Sequence, residues 1–153
     1  MTVFTRHWVN QETQTCDPKI LHDRGPALAV SISVPDDVAA LLTTDQKAVP
    51  NAVSGTALID TGAGWTAIDI EILTALGLTP KSTIPVIGPT GAEEQGVFQV
   101  KIEFTGTGIP AFEQMVIGSK IAGFNHASLV GRDILQHFLM VYNGIEGTWS
   151  LAI

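Results

Sequence analysis

Residues 57–63 read Ala57-Leu58-Ile59-Asp60-Thr61-Gly62-Ala63, and this stretch decides the fold. The apolar run predicts a short buried strand that ends directly at a carboxylate. A charge in that position is costly unless it is hydrogen-bonded, and Gly62 lets its own N–H approach Asp60. An Asp-Ser/Thr-Gly triplet alone occurs by chance in roughly one chain in fifteen of this length at ordinary residue frequencies. The buried strand predicted before it makes the triplet more informative than the three residues alone.

A second informative segment reads Leu129-Val130-Gly131-Arg132-Asp133-Ile134-Leu135. Taken alone, its glycine is a turn residue and its arginine a surface residue of a helix. Residues 132–138 place Ile134, Leu135 and Phe138 on one face at helical spacing, which predicts a short helix directly after a strand. The two segments in this order indicate more than either does alone.

The rest of the chain mostly shows the apolar alternation of short strands. Strands are predicted at 27–34, 56–59, 65–68, 84–87, 97–104, 112–117, 129–130, 139–142 and 148–153, and two short helices at 70–76 and 132–138. Residues 36–53 resemble an inserted connection with a helical turn, and residues 88–96 predict a long hairpin connection with a mobile tip. Residues 1–24 have no clear period, so we predict an N-terminal arm of unknown role before one domain at 25–153.

Composition narrows the classes of function. With 45% hydrophobic and 15% charged residues, the 153-residue chain is predicted to be one packed domain. A net charge of −7 and only eight scattered Lys and Arg residues argue against nucleic-acid binding. The single cysteine, Cys16, excludes an intrachain disulfide and a Cys-based zinc site, and the four histidines lack metal-ligand spacing. No apolar run is long enough to span a membrane. We therefore predict a cytoplasmic protein without metal, cofactor, membrane or nucleic-acid partner.

The two segments, with a glycine-containing hairpin between them, resemble the retropepsin family of aspartic proteases. The resemblance extends to retroviral enzymes and to single-domain bacterial relatives, and it covers residues 25–153 in order. It implies an all-β fold, a closed retropepsin-like barrel with two short helices and one lobe per subunit. It also implies a homodimeric endopeptidase that acts on peptides or proteins.

The resemblance also implies roles for individual residues. Asp60 would be the catalytic aspartate, Thr61 would hydrogen-bond across the two-fold axis, and Gly62 with Ala63 would form the floor under the substrate. The flap over the substrate would comprise Ile87, Gly88, Pro89, Thr90 and Gly91. Structural support under the catalytic loop would come from Leu129, Val130, Gly131, Arg132 and Asp133. The terminal strands of such enzymes interleave between subunits, so residues 148–153 would contribute to the dimer.

The mechanism that the resemblance implies also requires a homodimer. An ionised carboxylate takes a proton from water while a protonated one donates to the scissile carbonyl, and two close carboxylates do not both ionise easily. The chain has one Asp-Thr-Gly and no second copy. A second subunit must supply the partner aspartate at a two-fold axis.

The sequence departs from the retroviral pattern in several places. Gly64 stands where those enzymes commonly have an aspartate that pairs with the helix arginine, so Arg132 needs another partner. Arg24 lies in a context similar to that of an arginine near the family's first strand. Pro89 and Glu93-Glu94 replace a plainer glycine-rich flap. These departures leave open a protease-fold dimer that binds peptides or protein partners without cutting them, and a chance triplet in an unrelated structural domain.

Overall fold

The computed structural model describes residues 1–88, 91–121 and 126–153, and short β-strands dominate it. The strands are β1 (Val3–His7), β2 (Ala27–Ser33), β3 (Val53–Ile59), β4 (Ala67–Asp69), β5 (Ser82–Gly88), β6 (Gly91–Phe104), β7 (Phe112–Ser119), β8 (Ser128–Val130), β9 (Leu139–Asn143) and β10 (Thr148–Ala152). The helices are α1 (Pro18–Arg24), α2 (Asp36–Thr44), α3 (Ile70–Ala75) and α4 (Arg132–Leu135). The predicted all-β class is confirmed. None of these helices is both long and apolar enough to cross a membrane.

The strands form two sheets. One has the order β1-β10-β9, and the other has the order β2-β3-β8-β4-β7-β6-β5, with an additional pairing of β2 with β6. The neighbours in the larger sheet therefore lead from β2 through β3, β8, β4, β7 and β6 back to β2. This ring of pairings is consistent with the predicted closed barrel.

One hydrophobic core joins the two sheets. Every second residue of β2 is buried, because Leu28, Val30 and Ile32 point inward while Ala29 is exposed. Val30 lies opposite Phe104 of β6, which is also buried. The fully buried side chains of the smaller sheet, such as Trp149, belong to the same cluster. The smaller sheet is therefore part of the same packed body.

The predicted N-terminal arm packs against this core. β1 pairs with β10 in antiparallel register, and the rings of Phe4 and Trp149 meet edge to face with centroids 5.6 Å apart. α1 begins at Asp17, whose side chain accepts a hydrogen bond from the Lys19 N–H at 2.9 Å. Leu21 of α1 is completely buried. Residues 1–24 thus contribute a strand, a helix and a core side chain.

Two details of the predicted secondary structure are wrong. The structure contains α1, which was not predicted. The helical turn expected within 36–53 is a longer helix, α2, which buries no residue and therefore leaves little apolar period in the sequence. The predicted connection at 88–96 is also too long, because β5 runs to Gly88 and β6 begins at Gly91. Residues 92–94 are paired but exposed, and strands that do not face the core lack the alternation.

The C-terminal strand β10 is paired on both edges within one chain. It pairs with β1 along one edge and with β9 along the other. The contribution of residues 148–153 to a dimer stays a prediction.

Candidate active site

Asp60 lies at the end of a buried parallel strand pair. β3 pairs with β8 so that Ile59 is opposite Val130, and both side chains are buried. The Asp60 N–H continues the pairing and donates to the Val130 carbonyl at 2.9 Å. The sequence therefore positions the carboxylate through two apolar strands that cannot shift without exposing their side chains.

The loop after Asp60 holds one oxygen of its carboxylate. Asp60 Oδ1 accepts from the Gly62 N–H at 2.9 Å and from the Ala63 N–H at 3.3 Å. The Asp60 side chain is only partly buried, and Thr61 and Gly62 are exposed beside it. The structure thus confirms the expected contact between Gly62 and the carboxylate, and it leaves the loop open to a second molecule.

Arg132 also holds this loop, through hydrogen bonds to its main-chain carbonyl oxygens. Its Nη1 donates to the carbonyl oxygens of Thr61 at 2.8 Å and Gly62 at 2.9 Å, and its main-chain N–H donates to the Ala63 carbonyl at 2.9 Å. A Cβ at Gly64 would lie 3.6 Å from Arg132 Nη2. Main-chain carbonyl oxygens therefore serve as the partners of Arg132, in place of the aspartate that Gly64 replaces.

Replacing Arg132 with alanine should lower the free energy of unfolding by about 1–2 kcal/mol, because the charged hydrogen bonds to the loop carbonyls are lost. Chemical denaturation measures the effect. Arg6→Ala is the matched control, since Arg6 also donates to a main-chain carbonyl, that of Ala27, away from the loop. A loss in Arg132→Ala no larger than that in Arg6→Ala would contradict a specific role for Arg132 in holding the loop.

A buried polar network supports the loop from beneath. Thr66 donates from its N–H to Asp133 Oδ2 at 2.8 Å and from its hydroxyl to Asp133 Oδ1 at 2.7 Å. Gln114 Nε2 donates to the same carboxylate at 3.2 Å, and the Gly131 N–H donates to the Thr66 hydroxyl at 3.1 Å. Sequence reasoning predicted Gly131 and Asp133 as support. It missed Thr66, which directly precedes β4, and Gln114, a polar residue on an otherwise apolar face of β7.

Thr66→Val should destabilise the protein by about 2 kcal/mol, because it keeps the side-chain shape but leaves buried polar groups without partners. The residue is completely buried, so water cannot replace the lost hydroxyl. Urea denaturation checks the value. Thr74→Val is the control, since the Thr74 hydroxyl is exposed and donates only within α3 to the Ile70 carbonyl. A change below about 0.5 kcal/mol at Thr66, the usual range of surface substitutions, would contradict this role.

Comparison with known proteins bears on the fold. No family model and no curated protein matches the sequence. The chain is similar to the simian foamy virus (mac) protease, with 16% identity and a TM-score of 0.46 over 72% of this chain and 92% of that one. It is also similar to the EIAV protease, with 19% identity and a TM-score of 0.46 over 73% and 86%.

A retropepsin-like aspartic protease from Rickettsia conorii is similar over 97% of this chain and 89% of its own, with 14% identity and a TM-score of 0.50. The chain has the retropepsin-like fold. The resemblance noted in the sequence is thereby confirmed for the architecture.

Within the retropepsin-like fold of this chain, a cavity of about 530 Å³ opens beside Asp60. Leu58 and Leu129, which are opposite each other across the β3–β8 pair, form its apolar wall. The remaining lining residues are Asp23, Arg24, Gly25 and His126. Hydrogen bonds from Lys19 and then His22 hold the pKa of Asp23 below its usual value, so this rim carboxylate stays ionised to lower pH.

The cavity adds Leu58, which sequence reasoning did not assign to the site, and it places Leu129, predicted as support under the loop, in the apolar wall. Leu58 and Leu129 precede Asp60 and Gly131 by two residues, and the strand period places them on the same face as those residues. Trp65 was equally compatible with a substrate pocket or the core, and it is 44% exposed but does not line this cavity.

The predicted flap corresponds to the β5–β6 hairpin. Its last described pair is Gly88 opposite Gly91, and Ile87 next to it is 86% exposed. Pro89 and Thr90 lie outside the described residues. Gly91 has φ +120°, a conformation that side chains rarely adopt, so a glycine is required there.

Proposed function

We propose that this protein is an aspartic endopeptidase that acts as a homodimer, with Asp60 and the partner subunit's Asp60 forming the catalytic pair. One observation carries the proposal. Asp60 Oδ1 is held by the Gly62 and Ala63 N–H groups in a loop fastened by Arg132, and the carboxylate borders a cavity with an apolar wall.

The pair of carboxylates supplies both an acid and a base. The ionised carboxylate takes a proton from a water molecule, and the water oxygen attacks the scissile carbonyl carbon while the protonated carboxylate donates to the carbonyl oxygen. Three other aspartates of the same chain already have partners. Asp69 accepts from the Glu71 and Ile121 N–H groups, Asp133 is held by Thr66, and Asp23, at the rim of the same cavity, is hydrogen-bonded to Lys19 and His22. The second aspartate is therefore expected from a second subunit.

The substrate we propose is an extended peptide with apolar side chains beside the cleaved bond. An extended backbone can pair with the exposed main chain of the loop and of the β5–β6 hairpin, which would act as the flap. An apolar side chain would occupy the cavity between Leu58 and Leu129. The setting we propose is cytoplasmic, because the single cysteine requires no oxidising compartment.

The test is incubation of the protein with a mixed peptide library between about pH 4 and 7, because a neighbouring carboxylate raises the pKa of one member of the pair above the usual range. New peptide termini are identified by mass spectrometry. The Asp60→Asn protein, purified identically, accounts for contaminating proteases. Cuts made only by the unmodified protein support the proposal, and no cuts by a folded dimer contradict it.

A protease-fold dimer that binds peptides without cutting them is the second candidate. The acidic pair Glu93-Glu94 on the exposed part of β6 favours it, since a negatively charged flap would change which peptides it can close over. The lack of an aspartate partner at position 64 no longer favours this candidate, because Arg132 pairs with the loop carbonyls. Binding of library peptides without cleavage by the folded dimer would favour this candidate.

A further inference from the structure

We propose that the cavity beside Asp60 binds a peptide side chain that ends in a carboxylate, and that Arg24 and His126 hold this carboxylate. The expected substrate therefore has an acidic residue two positions from the apolar residue at the cleaved bond. This inference rests on the proposed function, since it names the substrate class of the same site. It also assigns a role to the end of the N-terminal arm, which supplies Arg24.

The cavity has room for more than one side chain. Its volume of about 530 Å³ lies within the range of about 300–1,000 Å³ of pockets that hold a drug-sized ligand. In an extended peptide, side chains two residues apart point to the same side and lie about 6.5–7 Å apart. When one apolar side chain packs between Leu58 and Leu129, the side chain two positions along therefore faces the same cavity. Its chemistry is selected by the remaining lining residues, which are Asp23, Arg24, Gly25 and His126.

Arg24 is the cation of this lining, and it has no carboxylate partner. In the described part of the chain, the ion pairs are those of Lys19, His22, Lys47 and Lys101. The Arg24 side chain is exposed, and its Cζ lies 5.7 Å from the centroid of the Trp8 ring. A guanidinium that lies over an aromatic face keeps the N–H donors at its edges free for a carboxylate.

The neighbouring carboxylate of Asp23 does not neutralise Arg24. Asp23 Oδ2 accepts from Lys19 Nζ, and its Oδ1 lies 2.9 Å from His22 Nδ1. The negative charge of Asp23 is therefore compensated within α1, and Arg24 gives the rim a net positive charge. The chain's net charge of −7 repels an acidic peptide at long range, but salt screens exposed charges beyond about 8 Å at physiological ionic strength. The contact at the rim therefore decides the preference.

His126 offers a second donor to the same ligand. Its Nδ1 is buried and has no hydrogen-bond partner within the described ranges, although buried polar atoms are normally paired. A neutral imidazole can carry its N–H on Nδ1 and donate it to an oxygen. A carboxylate accepts through both of its oxygens, so it can take hydrogen bonds from a guanidinium and an imidazole together.

The end of the arm is packed against the apolar wall of the cavity. α1 is capped by Gly25, whose N–H donates to the Leu21 carbonyl at 2.9 Å, and Leu21 is completely buried. A Cβ at Gly25 would lie 2.8 Å from Leu58 Cδ1, so the main chain passes close to the wall at this point. Arg24 is therefore presented to the cavity by a packed segment and not by a free terminus.

Matched peptides test the preference. Each has eight residues, is capped at both ends and carries two leucines at its centre. Glutamate, glutamine or lysine stands two residues before the first leucine, or two residues after the second, because a homodimer has two equivalent cavities. At about pH 6 the glutamate is ionised, since its usual pKa is about 4.3. The glutamate peptide should be cleaved with a kcat/KM about tenfold higher than that of the glutamine peptide, the effect of one charged hydrogen bond.

Charge variants test the assigned residue. Arg24→Gln should lower the ratio of kcat/KM between the glutamate and glutamine peptides from about ten to about one. Arg24→Glu should reverse the preference in favour of the lysine peptide, which a loss of structure cannot produce. Arg6→Gln is the matched control and should keep the ratio, because Arg6 also lies over the Trp8 ring, with its Cζ 4.3 Å from the centroid, but does not line the cavity. Circular dichroism checks the fold of each variant.

Binding separates this inference from the proposed function. Dissociation constants of the same peptides are measured by isothermal titration calorimetry with the Asp60→Asn protein, and the glutamate peptide should bind about tenfold more tightly than the glutamine peptide. That preference without any cleavage by the unmodified protein supports the carboxylate site and contradicts the protease. Asp60-dependent cleavage without the preference, or with a preference that Arg24→Gln leaves unchanged, supports the protease and overturns the carboxylate site. If none of these peptides is bound or cleaved, the carboxylate site is overturned, and the mixed library still tests the protease.

Discussion

Asp60→Asn should lower kcat/KM for peptide cleavage by about a thousandfold or more, since a positioned acid or base contributes about 10²–10⁴-fold and this change removes both from the pair. The amide cannot take a proton from water, and it cannot hold the shared proton for the carbonyl oxygen. The amide oxygen can still accept from the Gly62 and Ala63 N–H groups, so the free energy of unfolding should change by less than about 1 kcal/mol.

The matched control is Asp37→Asn, which makes the same chemical change at an exposed position. The Asp37 carboxylate accepts from the neighbouring Val38 N–H at the exposed start of α2, so the variant should keep full activity. Turnover of one cleaved library peptide and thermal unfolding are measured for all three proteins. Turnover by Asp60→Asn at the rate of the unmodified protein, with Asp37→Asn equally active, would exclude Asp60 from the chemistry.

Local sequence patterns predicted much of the fold, because buried and exposed side chains recur along the chain with the period of its strands and helices. The alternation in β2 gave a buried strand, and Asp69 was expected to begin a helix, where its side chain does accept from the Glu71 N–H at 2.9 Å. The strand before Asp60 and the helix opened by Arg132 were predicted for the same reason. These elements each bury one face, so the sequence carries their pattern.

Elements that bury little could not be predicted in this way. α1 buries only Leu21, although its start at Asp17-Pro18 is a recognisable cap, and α2 buries no residue at all. The start of β6 is exposed and owes its conformation to main-chain pairing with β5. In each case the apolar period that identifies an element is weak, because few of its side chains are buried in the core.

The contacts that shape the candidate site are also invisible to local reading. Thr66 and Asp133 are 67 positions apart, and only the folded chain brings them together. The partners of Arg132 are carbonyl oxygens, which every residue has, so no residue type in the sequence marks them. The sequence could predict that Arg132 needs a partner at the loop, but the structure was required to find it.

Gly131→Ala should be the most destabilising conservative substitution near the site, with a loss of about 3 kcal/mol in the free energy of unfolding, at the upper end of the usual cost of overpacking. A Cβ at this position would lie 2.5 Å from the carbonyl carbon of Trp65 and 2.6 Å from its oxygen. Both are main-chain atoms of the segment that precedes β4, so no side-chain rotation relieves the overlap. The φ of −88° is accessible to any residue, so the cost is purely steric.

Gly64→Ala is the matched control for that steric argument. A Cβ at Gly64 would meet only Arg132 Nη2 at 3.6 Å, an ordinary contact, and the residue is exposed, so its stability should change by less than about 0.5 kcal/mol. Denaturation in urea compares the two variants with the unmodified protein. Gly131→Ala should also lower activity, because the segment that must move carries Thr66, whose hydroxyl holds both the Gly131 N–H and Asp133. Equal stability of the two variants would show that the segment before β4 moves away from an added Cβ at little cost in free energy. The support under the catalytic loop would then not be rigid.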